Sequence, residues 1–130
     1  GKLVSQLNGL RNKISQIKKK DTDSEEYRDA LERICQQFRI CVERSVEDEL
    51  LLGMVHRFKR RIMTSGIIMK MPNIAVEDCR MVDDMMSKYS FVEHSQPTDS
   101  QLVQFSIDEI DKDIELYVKW ITDYRKKMKK

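Results

Sequence analysis

The first leucines and isoleucines of the chain recur at alternating intervals of four and three positions. They are Leu3, Leu7, Leu10, Ile14 and Ile17. In an α-helix this spacing places all of them on one stripe, which is typical of a helix that lies along another helix. We therefore predict a coiled-coil-like heptad helix over residues 1–20, followed by an interruption in the polar stretch KKDTDSEE.

The same spacing resumes after this stretch and continues for much longer. It runs through Tyr27, Leu31, Ile34, Phe38 and Cys41, and then shifts to Val42, Val46, Leu50, Leu51, Val55, Phe58 and Ile62. Thr22 and Glu25 fit a capping box at its start, with Asp23 as an alternative cap. We predict one long helix over residues 24–65, in which Gly53 marks a kink or a close helix contact.

Two further helices are predicted in the second half of the chain. The first covers residues 76–89, and its expected buried face consists of Cys79, Val82, Met86 and Tyr89, with Met85 beside them. Ser106 and Glu109 form a capping box for the second helix, which covers residues 107–128. No segment alternates apolar and polar residues over a useful length, so no sheet is expected. The predicted fold class is all-α, a single domain of about four bundled helices with one long central helix.

The composition favours the same fold class. A chain of 130 residues can build one modest core, and 35% charged residues with only four Gly and two Pro do not suit a fold rich in strands and turns. Apolar runs such as Leu50–Leu52 are too short to span a bilayer, so no membrane partner is expected. Because the chain starts with Gly1 and not with Met, we expect it to be a piece of a longer protein, with a tag remnant as the alternative origin of Gly1.

The three cysteines, Cys35, Cys41 and Cys79, cannot all pair with one another, and none lies in a CxxC motif. Each falls near an apolar helical position, where a reduced cysteine behaves as a small hydrophobic residue. We therefore expect a reduced protein in the cytoplasm.

The net charge of +2 conceals a strong segregation of charge along the chain. Residues 1–20 carry six basic groups and no acid, residues 21–50 carry ten acids and four bases, and residues 71–124 total −8. Sorted charges of this kind predict helices that meet partners of opposite sign, within the domain or in another chain. They do not indicate a uniformly basic nucleic-acid-binding protein.

The run HRFKRRI places four cations, Arg57, Lys59, Arg60 and Arg61, around Phe58. Such a cluster can grip phosphates or face an acidic partner. It can also be the solvated side of an amphipathic helix, which is the interpretation we favour because an acidic segment follows.

The segment SFVEHSQPTD holds His94 and Gln96, which are candidate interaction residues in a connection between two helices. The chain contains no phosphate-binding glycine loop and no HExxH motif, and neither of its two histidines has a ligand at metal spacing. We predict no catalytic, cofactor-binding or metal-binding residue in this chain.

Four segments of the chain together carry a resemblance to a known family. They are RICVERSVEDELLLGMVHRF, MPNIAVEDCRMVDDMMSKYS, FVEHSQP and IDEIDKDIELYVKWI, the last of which leads into a basic tail. In this order they resemble the C-terminal helical region of large bacterial AAA family ATPases of the ABC/SMC-like kind, over most of residues 25–127. The chain departs from the family at Ala75-Val76, where members often have Thr-Pro, and at His94-Ser95-Gln96, where some have His-Asp-Gln.

This resemblance implies a non-catalytic accessory or interaction domain, with the ATPase lobe and its ATP and Mg upstream in the parent chain. The implied partners are that ATPase domain, a second protein or nucleic acid, or a second copy in a homodimer, in phage defence or nucleic-acid processing. The alternative is a free-standing helical nucleic-acid-binding protein that uses residues 57–61 and the C-terminal lysines. An enzyme in its own right is not expected, because no catalytic set converges.

Overall fold

The computed structural model describes residues 2–20, 24–50, 72–90 and 106–129. These residues form four α-helices: α1 (Lys2–Ile17), α2 (Glu25–Ser45), α3 (Val76–Lys88) and α4 (Ile107–Lys129). A π-helical turn, Val46–Leu50, extends α2, so that residues 25–50 are the longest continuous helical element in the described ranges. The described residues contain no strand, and the predicted all-α bundle with a long central helix is confirmed. The predicted continuation of that helix over residues 51–65, with Gly53, lies outside the described residues.

α1 packs between α2 and α4 and buries the whole predicted stripe from Leu3 to Ile17. The flank of α1 that faces α4 is basic. Its Arg11 Nε lies 3.0 Å from Asp111, and its Lys18 Nζ lies 2.7 Å from Asp108. The basic start of the chain therefore meets the acidic start of α4, which confirms that sorted charges meet partners of opposite sign within the domain.

The start of α2 differs from the predicted cap. The helix begins at Glu25, and the hydroxyl oxygen of Ser24 accepts a hydrogen bond of 3.1 Å from the backbone N–H of Tyr27. Ser24 is therefore the N-cap in place of Thr22 or Asp23. A serine oxygen satisfies the same unpaired donor as threonine or aspartate, so residue type alone does not choose among the three possible caps.

The interior is centred on Phe38, which is fully buried. Its ring meets two tyrosine rings edge to face, Tyr89 at 5.1 Å and Tyr117 at 5.8 Å between centroids. This T-shaped geometry is favoured because the positive edge of one ring faces the negative face of the other. One side chain of α2 thus joins α3 and α4 in a common core.

The buried face of α3 is rotated from the predicted one. Val82 and Tyr89 are buried as expected, but Cys79 is exposed and Met86 is only half-buried. Asp78 and Met85 take their places in the interior. The Asp78 carboxylate accepts hydrogen bonds from the Ala75 backbone N–H at 2.8 Å and from the Trp120 indole at 2.9 Å. Both the Cys79 and the Asp78 registers fit the helical spacing, and the polar contacts of Asp78 decide between them.

α4 begins at Ile107 as predicted, and the Ser106 hydroxyl oxygen accepts a hydrogen bond of 3.1 Å from the Glu109 backbone N–H, which is one half of the predicted capping box. Near the other end of α4, Arg125 pairs with Glu49 and the Tyr124 hydroxyl donates to the Leu50 carbonyl at 2.9 Å. These contacts fasten the π-helical turn to the C-terminal part of α4.

Candidate functional site: a groove between two helices

All six interaction residues predicted from the sequence lie outside the described residues. They are Arg57, Lys59, Arg60, Arg61, His94 and Gln96. Two cations of the described part of the C-terminal basic cluster form ion pairs within the domain. Arg125 pairs with Glu49 at 2.8 Å, and Lys127 pairs with Asp78.

The buried polar groups of the described residues connect helices. The Tyr89 hydroxyl donates to Asp113 at 2.6 Å, and Lys88 lies 2.8 Å from the same carboxylate. Burial, together with the hydrogen bond to Asp113, raises the pKa of Tyr89 far above its usual value, so this tyrosine stays protonated. In the same way Ser45 hydrogen-bonds Tyr117 and the Val42 carbonyl. Within the described ranges no cluster of His, Cys, Asp or Glu could hold a metal ion.

A surface groove lies between α1 and α2. Its α1 side is lined by Gln6, Gly9 and Lys13. They belong to a row beside the buried seam that repeats the same spacing with different chemistry: Lys2, Gln6, Gly9, Lys13 and Gln16, followed by Lys20 after the end of the helix. On α2 the corresponding stripe is Glu26, Ala30, Arg33, Gln37, Ile40 and Arg44. We call these twelve residues the α1/α2 outer face.

Two hydrogen-bonded pairs bridge the groove. Arg44 donates to the Gln6 side-chain oxygen at 3.2 Å, and Lys13 donates to the Gln37 side-chain oxygen at 3.3 Å. A cavity of 380 Å³ is lined by these four residues and by Gly9, Leu10, Ile40 and Cys41. Each pair joins a cation to a neutral amide, so the positive charge is held in position without being cancelled.

Gly9 lies beside open space in this cavity. A Cβ atom built on Gly9 would meet no atom within 4 Å among the described residues. Glycine inside a helix costs about 1 kcal/mol relative to alanine, because it loses more backbone entropy on folding. No packing within the described structure requires this glycine, so its effect on the surface is what distinguishes the position.

The remaining lining of the cavity is apolar. Leu10 and Cys41 are buried beneath it, while Ile40 is 50% exposed and stands beside it. A half-exposed isoleucine next to an unfilled apolar cavity is a surface that another side chain can cover with a gain in buried apolar area.

The charge of the α1/α2 outer face is strongly positive. Five cations, Lys2, Lys13, Lys20, Arg33 and Arg44, stand against Glu26, which pairs with Lys20 at 3.1 Å. Lys13 and Arg44 form no ion pair with any carboxylate of the described residues. The face therefore combines an apolar cavity with a cationic border.

The α1/α2 outer face is not among the sites predicted from the sequence, which predicts only the buried stripe beside it. The signal was present, because Gln6, Gly9 and Lys13 repeat the heptad spacing one position before each seam residue. Ile40 is a second signal, since it is a branched apolar residue outside the buried stripe of α2.

Comparison with protein-family models, with curated protein sequences and with solved structures gives no match to this chain. None of the helices in the described ranges has both the length and the apolar character needed to cross a bilayer.

Proposed function

We propose that this chain is a non-catalytic helical interaction domain that binds a partner through the α1/α2 outer face. The observation that carries the proposal is the cavity over Gly9, open between two bridging pairs and flanked by the half-exposed Ile40. A glycine that costs helix stability and leaves an apolar cavity at the surface is well suited to close approach by another molecule.

The larger setting that we propose is the C-terminal region of a bacterial AAA family ATPase of the ABC/SMC-like kind, located in the cytoplasm. Its support is the order of the four sequence segments given above. ATP and Mg would then be bound upstream in the parent chain, with roles in phage defence or nucleic-acid processing. The described helices supply a bundle that such an ATPase could use to position a partner.

Two measurements test this setting. The reading frame upstream of the Gly1 codon is expected to encode a phosphate-loop ATPase, and a frame without one contradicts the ATPase setting. Calorimetric titration of the 130-residue chain with Mg-ATP is expected to give no binding heat, because the sequence has no glycine loop to hold phosphates. Micromolar binding would contradict the non-catalytic role.

The interaction role itself is tested by mapping a binding surface. Amide chemical shifts are recorded while the chain is titrated with the separately expressed upstream domain. We expect the largest shifts on α1 and α2, and we expect Ile40→Asp to weaken binding while Leu116→Asp, an exposed apolar residue on α4, does not. Shifts confined to α3 and α4 would contradict the proposed face.

Nucleic-acid binding is the second candidate function, and the five cations of the α1/α2 outer face favour it. If these cations contact phosphates, the affinity for a DNA duplex should fall by about 0.9 log unit per log of salt for each phosphate neutralised. Replacing Arg33 and Arg44 with Ala should then flatten that slope.

A further inference from the structure

The geometry points to one class of ligand for the groove: an acidic amphipathic helix of another protein. An aliphatic side chain of that helix enters the cavity over Gly9, and its flanking carboxylates meet Lys13 and Arg44. This inference rests on the interaction role proposed above and specifies the partner of the same face.

The apolar part of the cavity requires an apolar group from the ligand. Leu10 and Cys41 form the floor and Ile40 forms a wall, so an aliphatic side chain gains buried area there, whereas a phosphate would lose its hydration against carbon. Without a Cβ on Gly9, the backbone of a second helix can approach α1 closely. The cavity therefore resembles the hole that receives one knob of a neighbouring helix in coiled-coil packing.

The border of the cavity requires negative charge on both sides of that side chain. Arg44 and Lys13 are held by Gln6 and Gln37, which position the two cations and leave their charge available. Carboxylates of a partner would form charge-assisted hydrogen bonds, which are stronger than bonds to neutral amides.

The spacing of the two bridging pairs fixes the spacing of those carboxylates. The pairs lie at the levels of Gln6 and Lys13, two helical turns apart, which corresponds to about 10 Å along the axis. A helix lying in the groove has the same rise, so it spans this distance with seven residues. Its aliphatic residue should therefore be followed and preceded by acidic residues three or four positions away.

A second copy of this chain does not supply that pattern from the described residues. Val76 and Leu116 are the other exposed large hydrophobic residues there. Positions three and four after Val76 are Cys79 and Arg80. Leu116 has Lys112, Asp113 and Lys119 at these distances, and Asp113 is buried and bonded to Tyr89 and Lys88. Neither residue therefore has an exposed carboxylate at these spacings to meet Lys13 and Arg44.

The direct test is a titration with a synthetic helical peptide. The probe is a fluorescent peptide of about 20 residues with a central Leu, Glu three positions before it and four positions after it, and Ala or Gln elsewhere. One control peptide carries Lys in place of both Glu residues, and another carries Ala in place of the Leu. We expect the probe to bind at least about tenfold more tightly than either control in fluorescence anisotropy.

Variants of the 130-residue chain then locate the site. Gly9→Leu fills the cavity and should weaken probe binding at least about tenfold, whereas Ser5→Leu adds the same side chain at an exposed position of the same helix and should leave affinity unchanged. Gly9→Ala provides a milder change with better helix propensity, and it should weaken binding less than Gly9→Leu. Circular dichroism and thermal unfolding verify that each variant is folded.

A charge exchange tests the carboxylate contacts separately. The double variant Lys13→Glu and Arg44→Glu should lose affinity for the probe and gain affinity for the peptide that carries Lys. A structural defect would weaken both peptides, whereas a reversal of preference requires direct charge contacts.

Several results would overturn the inference. They are unchanged binding by Gly9→Leu, equal affinity for the three peptides, tighter binding of a DNA duplex than of the probe, and a concentration-dependent dimer that Gly9→Leu abolishes. In the last two cases the α1/α2 outer face still binds a partner, so the proposed interaction role stands and only the acidic helix is rejected. If Ile40→Asp affects no binding of any kind, the interaction role fails as well.

Discussion

The indole N–H of Trp120 donates a hydrogen bond of 2.9 Å to the carboxylate of Asp78, which precedes it by 42 positions in the chain. The same carboxylate accepts from the Ala75 backbone N–H and pairs with Lys127. One buried acid therefore caps the first turn of α3 and attaches that turn to α4.

Replacing Asp78 with Asn should reduce stability and its dependence on acid. Burial alone would raise the pKa of Asp78, but the hydrogen bonds from Lys127, Ala75 and Trp120 outweigh it and lower the pKa below its usual value. A lowered pKa contributes stability that is present above the unfolded-state value near about pH 4 and is lost as the pH falls through the folded-state value. We expect Asp78→Asn to lower the free energy of unfolding by about 1–3 kcal/mol at neutral pH. The stability of this variant should also fall less steeply as the pH is lowered.

The measurement is denaturant unfolding at several pH values, followed by fluorescence of the single tryptophan, which reports this contact directly. Asp83→Asn is the matched control, because it makes the same change at an exposed position of α3. Equal pH profiles for Asp78→Asn and the parent chain would contradict the assigned role of the carboxylate.

Truncating Phe38 should be among the most destabilising changes in the described core. Phe38→Ala removes both edge-to-face contacts and leaves a cavity among Tyr89, Tyr117 and the surrounding helices, at an expected cost of about 3–5 kcal/mol. Phe38→Leu keeps apolar volume and should cost less. Ile40→Ala, on the same helix at a half-exposed position, should cost less than about 1 kcal/mol. Chemical denaturation compares the three, and similar losses for Phe38→Ala and Ile40→Ala would show that the core is not centred on Phe38.

Gly9→Ala should stabilise the isolated chain by up to about 1 kcal/mol, because the new methyl group meets no atom within 4 Å and restricts the unfolded backbone. Ser5→Ala is the control for helix propensity at an exposed position of α1 and should give a smaller gain. Thermal unfolding measures whether the stability change of Gly9→Ala is a gain or a loss. A loss of stability at Gly9 alone would mean that the chain's own residues occupy the space above it.

The ion pairs between α1 and α4 should contribute little and should be sensitive to salt. The hydrogen bond to Asp111 raises the pKa of Arg11, yet its side chain is 37% exposed and well screened by water. We expect Arg11→Gln to lower stability by less than about 1 kcal/mol at low ionic strength and by almost nothing near about 1 M salt. Lys19→Gln, an exposed change at the end of α1, serves as the control. A large loss that persists in high salt would reveal a contribution from packing of the arginine stem.

The three thiols should differ in reactivity. Burial raises the pKa of Cys35 to about 12 and also raises that of Cys41, so few thiolates form there, while Cys79 is exposed. Alkylation of the folded chain at about pH 8 should modify one thiol rapidly, and Cys79→Ser should remove that reaction. Peptide mass mapping identifies the site. Rapid modification of Cys35 in the folded chain would contradict the described core.

The buried apolar stripes of the helices could be predicted because burial of apolar side chains decides which face of each helix packs against the core. The seam of α1 and the stripe from Leu31 to Cys41 needed only helical spacing. Of the predicted shift to Val42, Val46 and Leu50, Val42 is buried, whereas Val46 and Leu50 are half-buried and pack against the core. The π-helical turn Val46–Leu50, with its wider i→i+5 bonding, is not predicted by the spacing of the apolar residues.

Polar contacts between residues far apart in the chain could not be predicted from the sequence. The register of α3 depends on whether Asp78 finds Trp120 and Lys127, which lie on a helix far along the chain, and a single helix cannot reveal that. The cap at Ser24 was one of several equivalent choices. The candidate groove could not be predicted without knowing that α1 packs against α2, because only this packing brings Gly9 and Ile40 to the same cavity.

The use of glutamine to bridge the groove has a consequence for kinetics. Had Gln6 and Gln37 been glutamates, Lys13 and Arg44 would be neutralised, and the groove would attract an approaching partner only at short range. With amides, the positive potential of the face extends outward over about one Debye length and can orient an acidic helix before contact. Partners would then be distinguished already during the diffusional encounter. The association rate constant would fall as the ionic strength rises, whereas the dissociation rate constant would depend on how well the ligand side chain fills the cavity over Gly9.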